Sequence, residues 1–344
     1  MAGSTWQRAA SAVAAVALTV AAAVAQGPAV DSTPLPPPAA VDILADGTWP
    51  FDPPNTAADL NRKPFPGSTA DQFYRDYAGR ELFRHCCGDG TVLIGFPSTL
   101  LWEPPFAAKR EPRMMALPTT LNNYVGPWTL DTSLGTTVGL FRLIPSWSPA
   151  LEAQLDLFGV VHTRLSPDDL IVADYRFGFP VTFRHGPWHA KIAYEHTSAH
   201  VGDEGIQNGR IPINKHTTKD EVVFGLGRWF EDCLRLYGQS SYAFYQNLPD
   251  DSLGRWRFDI GFELYNRQPT GFWGTPFVAL NADFRGDQKY NGNLNVQAGW
   301  LWRNPEQRLA MWRTFIEYYN GRSPYGQLQF TRERFLGAGV AADY

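Results

Sequence analysis

Residues 128–344 repeat one pattern: segments of roughly ten residues in which every second side chain is apolar and those between are often charged. The clearest runs Arg255-Trp256-Arg257-Phe258-Asp259-Ile260-Gly261-Phe262-Glu263-Leu264-Tyr265. Successive side chains of a strand point to opposite faces, so Trp256, Phe258, Ile260, Phe262 and Leu264 share one face. Arg257, Asp259 and Glu263 share the other. One face wants hydrocarbon and the other is costly to dry. A soluble sandwich alternates in the same way, so the choice of solvent rests on segment length, on the loops and on the ends of the chain.

The segments expected to be strands are 113–119, 128–143, 151–164, 170–184, 188–200, 220–230, 233–245, 255–267, 276–285, 291–302, 308–319 and 333–344. Arg142 breaks the facing of Val138 and Leu140 in the second of these. Such lengths suit a tilted membrane strand of about 9 to 11 residues and exceed the usual soluble strand of about 5 to 6. Connections 144–150, 185–187, 231–232 and 303–307 are short, whereas 201–219, 246–254 and 320–332 are long. Short turns at one rim and long loops at the other are the asymmetry of outer-membrane barrels. The tight 165–169 connection, on the long-loop side, fits that asymmetry poorly.

Aromatic residues gather near segment ends, at Trp188, Trp229, Phe230, Trp300, Trp302, Tyr318 and Tyr319, as in an interfacial girdle. The last segment places Leu336, Ala338, Val340, Ala342 and Tyr344 on one face. A terminal aromatic strand resembles the signal read by the outer-membrane assembly machinery, an expected partner together with membrane lipid. The expected inward set, among it Asp174, Arg176, Lys191, Glu195, Asp283 and Glu317, mixes both signs in similar number. Salt-bridged side chains then fill the interior, and a ring of about twelve strands leaves little open lumen.

Residues 1–25 read as a signal peptide: Arg8 in a charged region, an apolar stretch over 9–24, and Ala23-Val24-Ala25 as the small-x-small cleavage pattern. The expected location is the cell outer membrane. Residues 26–67 are a flexible Pro/Ala-rich lead, and 68–110 a short helical or plug segment with a helix over 69–84 and a brief strand over 91–95. Residues 111–344 form the barrel. No later apolar run reaches the roughly 20 residues of a membrane helix. A net charge of -4 gives no basic footprint for nucleic acid. The three cysteines, Cys86, Cys87 and Cys233, are an odd number without zinc or haem spacing.

One stretch departs from the alternation. In Ala190-Lys191-Ile192-Ala193-Tyr194-Glu195-His196-Thr197-Ser198-Ala199-His200, the outward register runs Ala190, Ile192, Tyr194 and then His196, Ser198, His200. Polar groups there face lipid or its interface and ask for partners. His-x-Ser on a strand places imidazole and hydroxyl on one face about 6 to 7 Å apart along the backbone, which side chains can close. A serine with a histidine base, oriented by a third group, is the minimum for nucleophilic acyl transfer. His196-Thr197-Ser198 resembles the pair in outer-membrane phospholipase A and the barrel lipid A deacylases, which place His-x-Ser outward near the outer leaflet with an Asn or Glu orienter on the neighbouring strand. That resemblance implies a lipid acyl hydrolase with Ser198 as nucleophile and His196 as base. Asp220, outward at the start of the next segment, is the candidate orienter, and Asn214 the fallback. Asp203 and Glu204, opening the loop beyond, are candidate calcium ligands. His196 and His200 stand about 13 Å apart along a strand, too far for an easy zinc site.

Over 89–344 the chain also resembles a bacterial, planctomycete-type envelope family catalogued as a domain of unknown function. Val138-Gly139-Leu140-Phe141-Arg142, Ser198-Ala199-His200-Val201-Gly202-Asp203-Glu204 and Asp220-Glu221 carry the likeness. The expected fold is an all-β, antiparallel transmembrane barrel of about twelve strands with a short N-terminal periplasmic or plug segment. Three functions compete: a structural or conducting barrel, a lipid acyl hydrolase, and a soluble periplasmic barrel that binds an apolar ligand.

Overall fold

The computed structural model describes residues 83–86, 89–97, 99–121, 128–166, 169–203, 217–231, 233–248, 254–266, 274–302 and 311–343. They belong to a compact unit, Lys63–Tyr344. The expected signal peptide, the lead, residues 69–82 of the expected helix and Tyr344 lie outside the described residues.

Among the described residues fourteen strands form one antiparallel sheet. In chain order they are β1 (Phe83–Cys86), β2 (Val92–Gly95), β3 (Met114–Leu121), β4 (Thr129–Ile144), β5 (Leu151–Leu165), β6 (Leu170–His185) and β7 (Trp188–Val201). Then follow β8 (Thr217–Phe230), β9 (Leu234–Asn247), β10 (Trp256–Tyr265), β11 (Thr275–Arg285), β12 (Gly292–Trp302), β13 (Met311–Arg322) and β14 (Arg332–Asp343). The twelve from β3 to β14 pair in sequence order, and β14 returns to β3, closing the ring. β2 lies along the far end of β4, Val92 opposite Ile144 and Gly95 opposite Phe141, and β1 pairs with β2. The expected helix is thus corrected at its last two residues: Phe83 and Arg84 are strand, because their backbone bonds go to β2.

The barrel is apolar outside and charged inside. Along β10, Trp256, Phe258 and Ile260 are exposed at 43%, 42% and 56% while Arg257, Asp259 and Glu263 are buried. The same alternation runs through Phe177, Phe179 and Val181 of β6 and through Leu336 and Val340 of β14. Apolar surface left in water costs about 25 cal/mol per Å², so such a wall is stable only against hydrocarbon. A soluble carrier of an apolar ligand needs the reverse arrangement. No helix among the described residues is long and apolar enough to cross a membrane.

Arg142 has a local explanation. The register of β4 against β5 slips between Gly139 and Phe141, so Leu140 is an extra residue and the facing resets. Val138 and Phe141 then both face out, and Arg142 turns inward, fully buried, with Nε 2.6 Å from Gln154 Oε1. The expected girdle needs a correction of the same kind. Trp229 and Tyr319 are buried, because each sits one residue from an outward neighbour, Phe230 or Tyr318, and so faces the lumen. Trp188, Phe230, Trp300, Trp302 and Tyr318 are the outward members.

Ion pairs knit the inner face. Arg164 reaches Asp131 at 2.7 Å and Glu333 at 2.5 Å, Arg176 reaches Glu195 at 2.5 Å, Arg235 reaches Glu263 at 3.1 Å, and Arg313 reaches Asp343 at 2.5 Å. Residues 99–113 thread through this network as a plug. Lys109 pairs with Glu317 at 2.7 Å, Arg110 with Glu221 at 2.8 Å, and the Phe106 amide donates to Glu263 at 2.5 Å. Trp102 lies against the inner face of β8 at Gly225, where a Cβ would come within 2.9 Å of its ring. Beyond the plug, the loop between β13 and β14 folds over the lumen: the Gly326 amide donates to Asp174 at 2.8 Å, and Gln327 Nε2 to the Ala199 carbonyl at 2.8 Å. Cavities of about 20 Å³ remain beside Lys109 and Arg110, room for about one water each.

Candidate functional site on the outer wall

β6, β7 and β8 bring the outward polar residues together by register. His196 stands opposite Asp220 across β7 and β8, with Tyr194 opposite Val222 and Ser198 opposite Thr218. On the other flank, Phe177 is opposite His196 and Tyr175 opposite Ser198. The inner faces of the same strands are tied down. Glu195 holds Arg176, while Thr197 Oγ1 and Glu221 both accept from Arg110 of the plug, at 3.2 and 2.8 Å. The outward residues alternate with these anchored ones, so their backbone is fixed from within the barrel.

Two hydrogen-bonded groups result. In the first, Asp220 Oδ1 accepts from the Tyr194 hydroxyl at 2.7 Å and meets His196 Nδ1 at 2.8 Å. The His196 ring leans on Phe177, centroids 5.0 Å apart. In the second, Ser198 Oγ lies 2.9 Å from His200 Nε2, and the His200 ring meets Tyr175 edge to face at 5.5 Å. The expected pairing of His196 with Asp220 is present. The serine hydroxyl, however, bonds to the histidine two residues after it rather than the one two residues before. Both histidines share its face. Asp220 takes Nδ1 of His196, and Ser198 turns to the other ring.

β8 and β9 add a detail that alternation does not reveal. Their register slips at Asp220/Glu221, where Asp220 faces Tyr245 and Glu221 faces Ala243. Phe244 is therefore extra, and Phe244 and Tyr245 both reach the outer surface beside the site. The Phe244 ring lies 6.3 Å from Tyr194. An aromatic rim of Tyr175, Phe177, Tyr194 and Phe244 thus surrounds polar groups at the long-loop end of the wall. Asp203 is exposed just past β7, and Glu204 and Asn214 lie outside the described residues. Among the described residues no group of three or more His, Cys, Asp or Glu is placed to hold a metal ion.

These features define an outer-membrane-type β-barrel with a filled lumen and a polar patch on its outer wall. Residues 86–344 match the family described as Protein of unknown function (DUF1207), and the chain belongs to that family. No curated protein matches it in sequence. Among solved structures it is similar to outer membrane phospholipase A from Escherichia coli, at 10% identity over 67% of this chain and 92% of that one, TM-score 0.46. It is also similar to the Salmonella typhi outer membrane phospholipase dimer with bound calcium, at 12% identity over 71% and 95%, TM-score 0.47. The NanC porin follows at 9% identity over 67% and 100%, TM-score 0.40. Likeness at this level carries no residue role to this chain.

Proposed function

We propose that the chain is an exported outer-membrane barrel that hydrolyses acyl esters of membrane lipids on its outer wall. The observation that carries this reading is Ser198 Oγ at 2.9 Å from an imidazole nitrogen on the lipid-facing side of β7, beside a second imidazole held by a carboxylate. In this mechanism Ser198 Oγ attacks the ester carbonyl and its proton passes to His200 Nε2. Collapse of the tetrahedral intermediate returns the proton to the departing alkoxide and leaves an acyl-serine. Water, deprotonated by the same ring, then releases the fatty acid. His196, oriented by Asp220, flanks the serine and is the alternative base once the hydroxyl rotates toward it. Asp203 and Glu204 would be the residues to hold calcium, whose positive charge would stabilise a developing oxyanion.

The test is release of fatty acid from phospholipid and lipid A micelles, with and without calcium, by the parent, Ser198→Ala, His200→Ala and His196→Ala proteins. Release that is lost in Ser198→Ala supports the reading. No release by the parent on either lipid, or equal release by Ser198→Ala, removes it. Fractionation of cells tests the location, which is expected to be the outer membrane with residues 1–25 cleaved and folding by the outer-membrane assembly machinery.

A structural barrel without chemistry is the second reading. What favours it is the separation of the two groups, since among the described residues Asp220 bonds to His196 while Ser198 bonds to His200. Conduction has less support, because residues 99–113 and the loop between β13 and β14 fill the lumen.

A further inference from the structure

The same wall carries a polar residue near its other rim. The outer face of β8 runs Phe224, Leu226, Arg228, Phe230, and Arg228 stands opposite Trp188 of β7. The Arg228 guanidinium lies 5.0 Å from the centre of the Trp188 ring and 4.7 Å from that of Phe230. Its Nε is buried without a hydrogen-bond partner. Among the described residues no carboxylate lies within ion-pair distance of it. Inside the barrel the fully buried arginines are treated otherwise: Arg142, Arg164, Arg235 and Arg313 each have a carboxylate.

A guanidinium does not lose its charge in a protein. On a wall that faces lipid it needs an anion, and the described residues supply none. We propose that Arg228, held between Trp188 and Phe230, binds the phosphodiester of a phospholipid in the leaflet at this rim. With both rings close to the guanidinium carbon and Nε buried, the terminal nitrogens are the ones that would meet phosphate oxygens. Depth agrees. Arg228 is near the turn at Glu231, at the end of the wall opposite Asp220. Eight residues separate Arg228 from Asp220, about 26 Å along a strand and roughly 20 Å across a membrane at a tilt near 40°. The two polar stations therefore meet the headgroups of opposite leaflets. A lipid fits better than free phosphate, because the exposed Leu226, Phe224 and Ile192 continue from the arginine toward the membrane centre as a bed for acyl chains.

This site stands apart from Ser198, and its test needs no turnover. The full chain, purified in detergent, is titrated with phosphatidylglycerol, and bound lipid is counted by native mass spectrometry. Arg228→Gln is expected to weaken binding about tenfold, with Arg228→Lys and Trp188→Leu between it and the parent, since one keeps only a point charge and the other loses one stacking face. Diacylglycerol, which lacks the phosphate, is expected not to bind, and millimolar inorganic phosphate not to displace the phospholipid. Equal phospholipid binding by parent and Arg228→Gln overturns the proposal. So does equal binding of diacylglycerol, or displacement by inorganic phosphate. Migration of the unboiled protein on a gel shows which variants are folded. If Arg228→Gln is not, unchanged binding in both Arg228→Lys and Trp188→Leu overturns it instead.

Discussion

Two walls of the ring obey different rules. On β13 and β14 the outward residues run Trp312, Thr314, Ile316 and Leu336, Ala338, Val340, and a shallow apolar groove lies between Trp300, Ile316 and Val340. On β7 and β8, half the ring away, the outward series is apolar only between Trp188 and Tyr194 and ends in His196, Ser198, His200 and Asp220. Both walls have the same backbone and the same kind of charged inner face. The first carries scattered outward polar residues, such as Thr314 and Arg334, whereas the second gathers its polar side chains into hydrogen-bonded groups. Burial and packing account for the first wall, and the proposed hydrolysis would account for the second.

The comparison breaks most sharply in turnover. Ser198→Ala is expected to lower fatty-acid release at least about a thousandfold, and His200→Ala about a hundredfold or more. Thr314→Ala, a hydroxyl removed from the other wall, is expected to leave the rate unchanged in the same micelle assay. Next comes the shared interior. Asp131→Ala strips Arg164 of one of its two carboxylates, and breaking such a buried pair costs about 3–5 kcal/mol, read as a lower urea midpoint for unfolding from lipid vesicles.

A charge scan sharpens the contrast further. Ile316→Arg, midway along its wall, is expected to cost about 2–4 kcal/mol in the same unfolding measurement, whereas His200→Arg, near the rim, costs about 0–1. Equal costs would mean that the two walls meet the same surroundings. A small effect is also expected from Tyr194→Phe, which removes one of two hydrogen bonds on Asp220 and costs about 0.5–1.5 kcal/mol. Fatty-acid release by this variant should fall no more than about tenfold by the same measure.

Alternation made the strands and their facing legible from the sequence, because period two is fixed by backbone geometry. Where one extra residue enters a strand, that signal fails. Leu140 and Phe244 are such residues, and neither the inward turn of Arg142 nor the second outward aromatic beside Asp220 follows from spacing. Trp229 and Tyr319 show the limit of a composition signal, since aromatic pairs at strand ends put only one member outside. At the site, the sequence placed His196, Ser198, His200 and Asp220 on one face. It did not choose the serine's partner, because both histidines are two residues away and backbone register is silent about side-chain torsions. The carboxylate opposite His196 was legible, because Asp220 opens the outward register of the next strand, and it meets Nδ1 of that ring. For residues 68–110 the sequence offered a plug but not its contacts, since the apolar and charged side chains of residues 99–113 find partners on many strands.

The most direct measurement is covalent. The folded protein, reconstituted in lipid vesicles, is treated with a long-chain fluorophosphonate ester that reacts with activated serines, and the modified peptide is located by mass spectrometry. One adduct on Ser198 is expected, absent from Ser198→Ala and strongly reduced in His200→Ala. No adduct on Ser198, or equal labelling in His200→Ala, would contradict an outer wall that carries out acyl transfer through this pair.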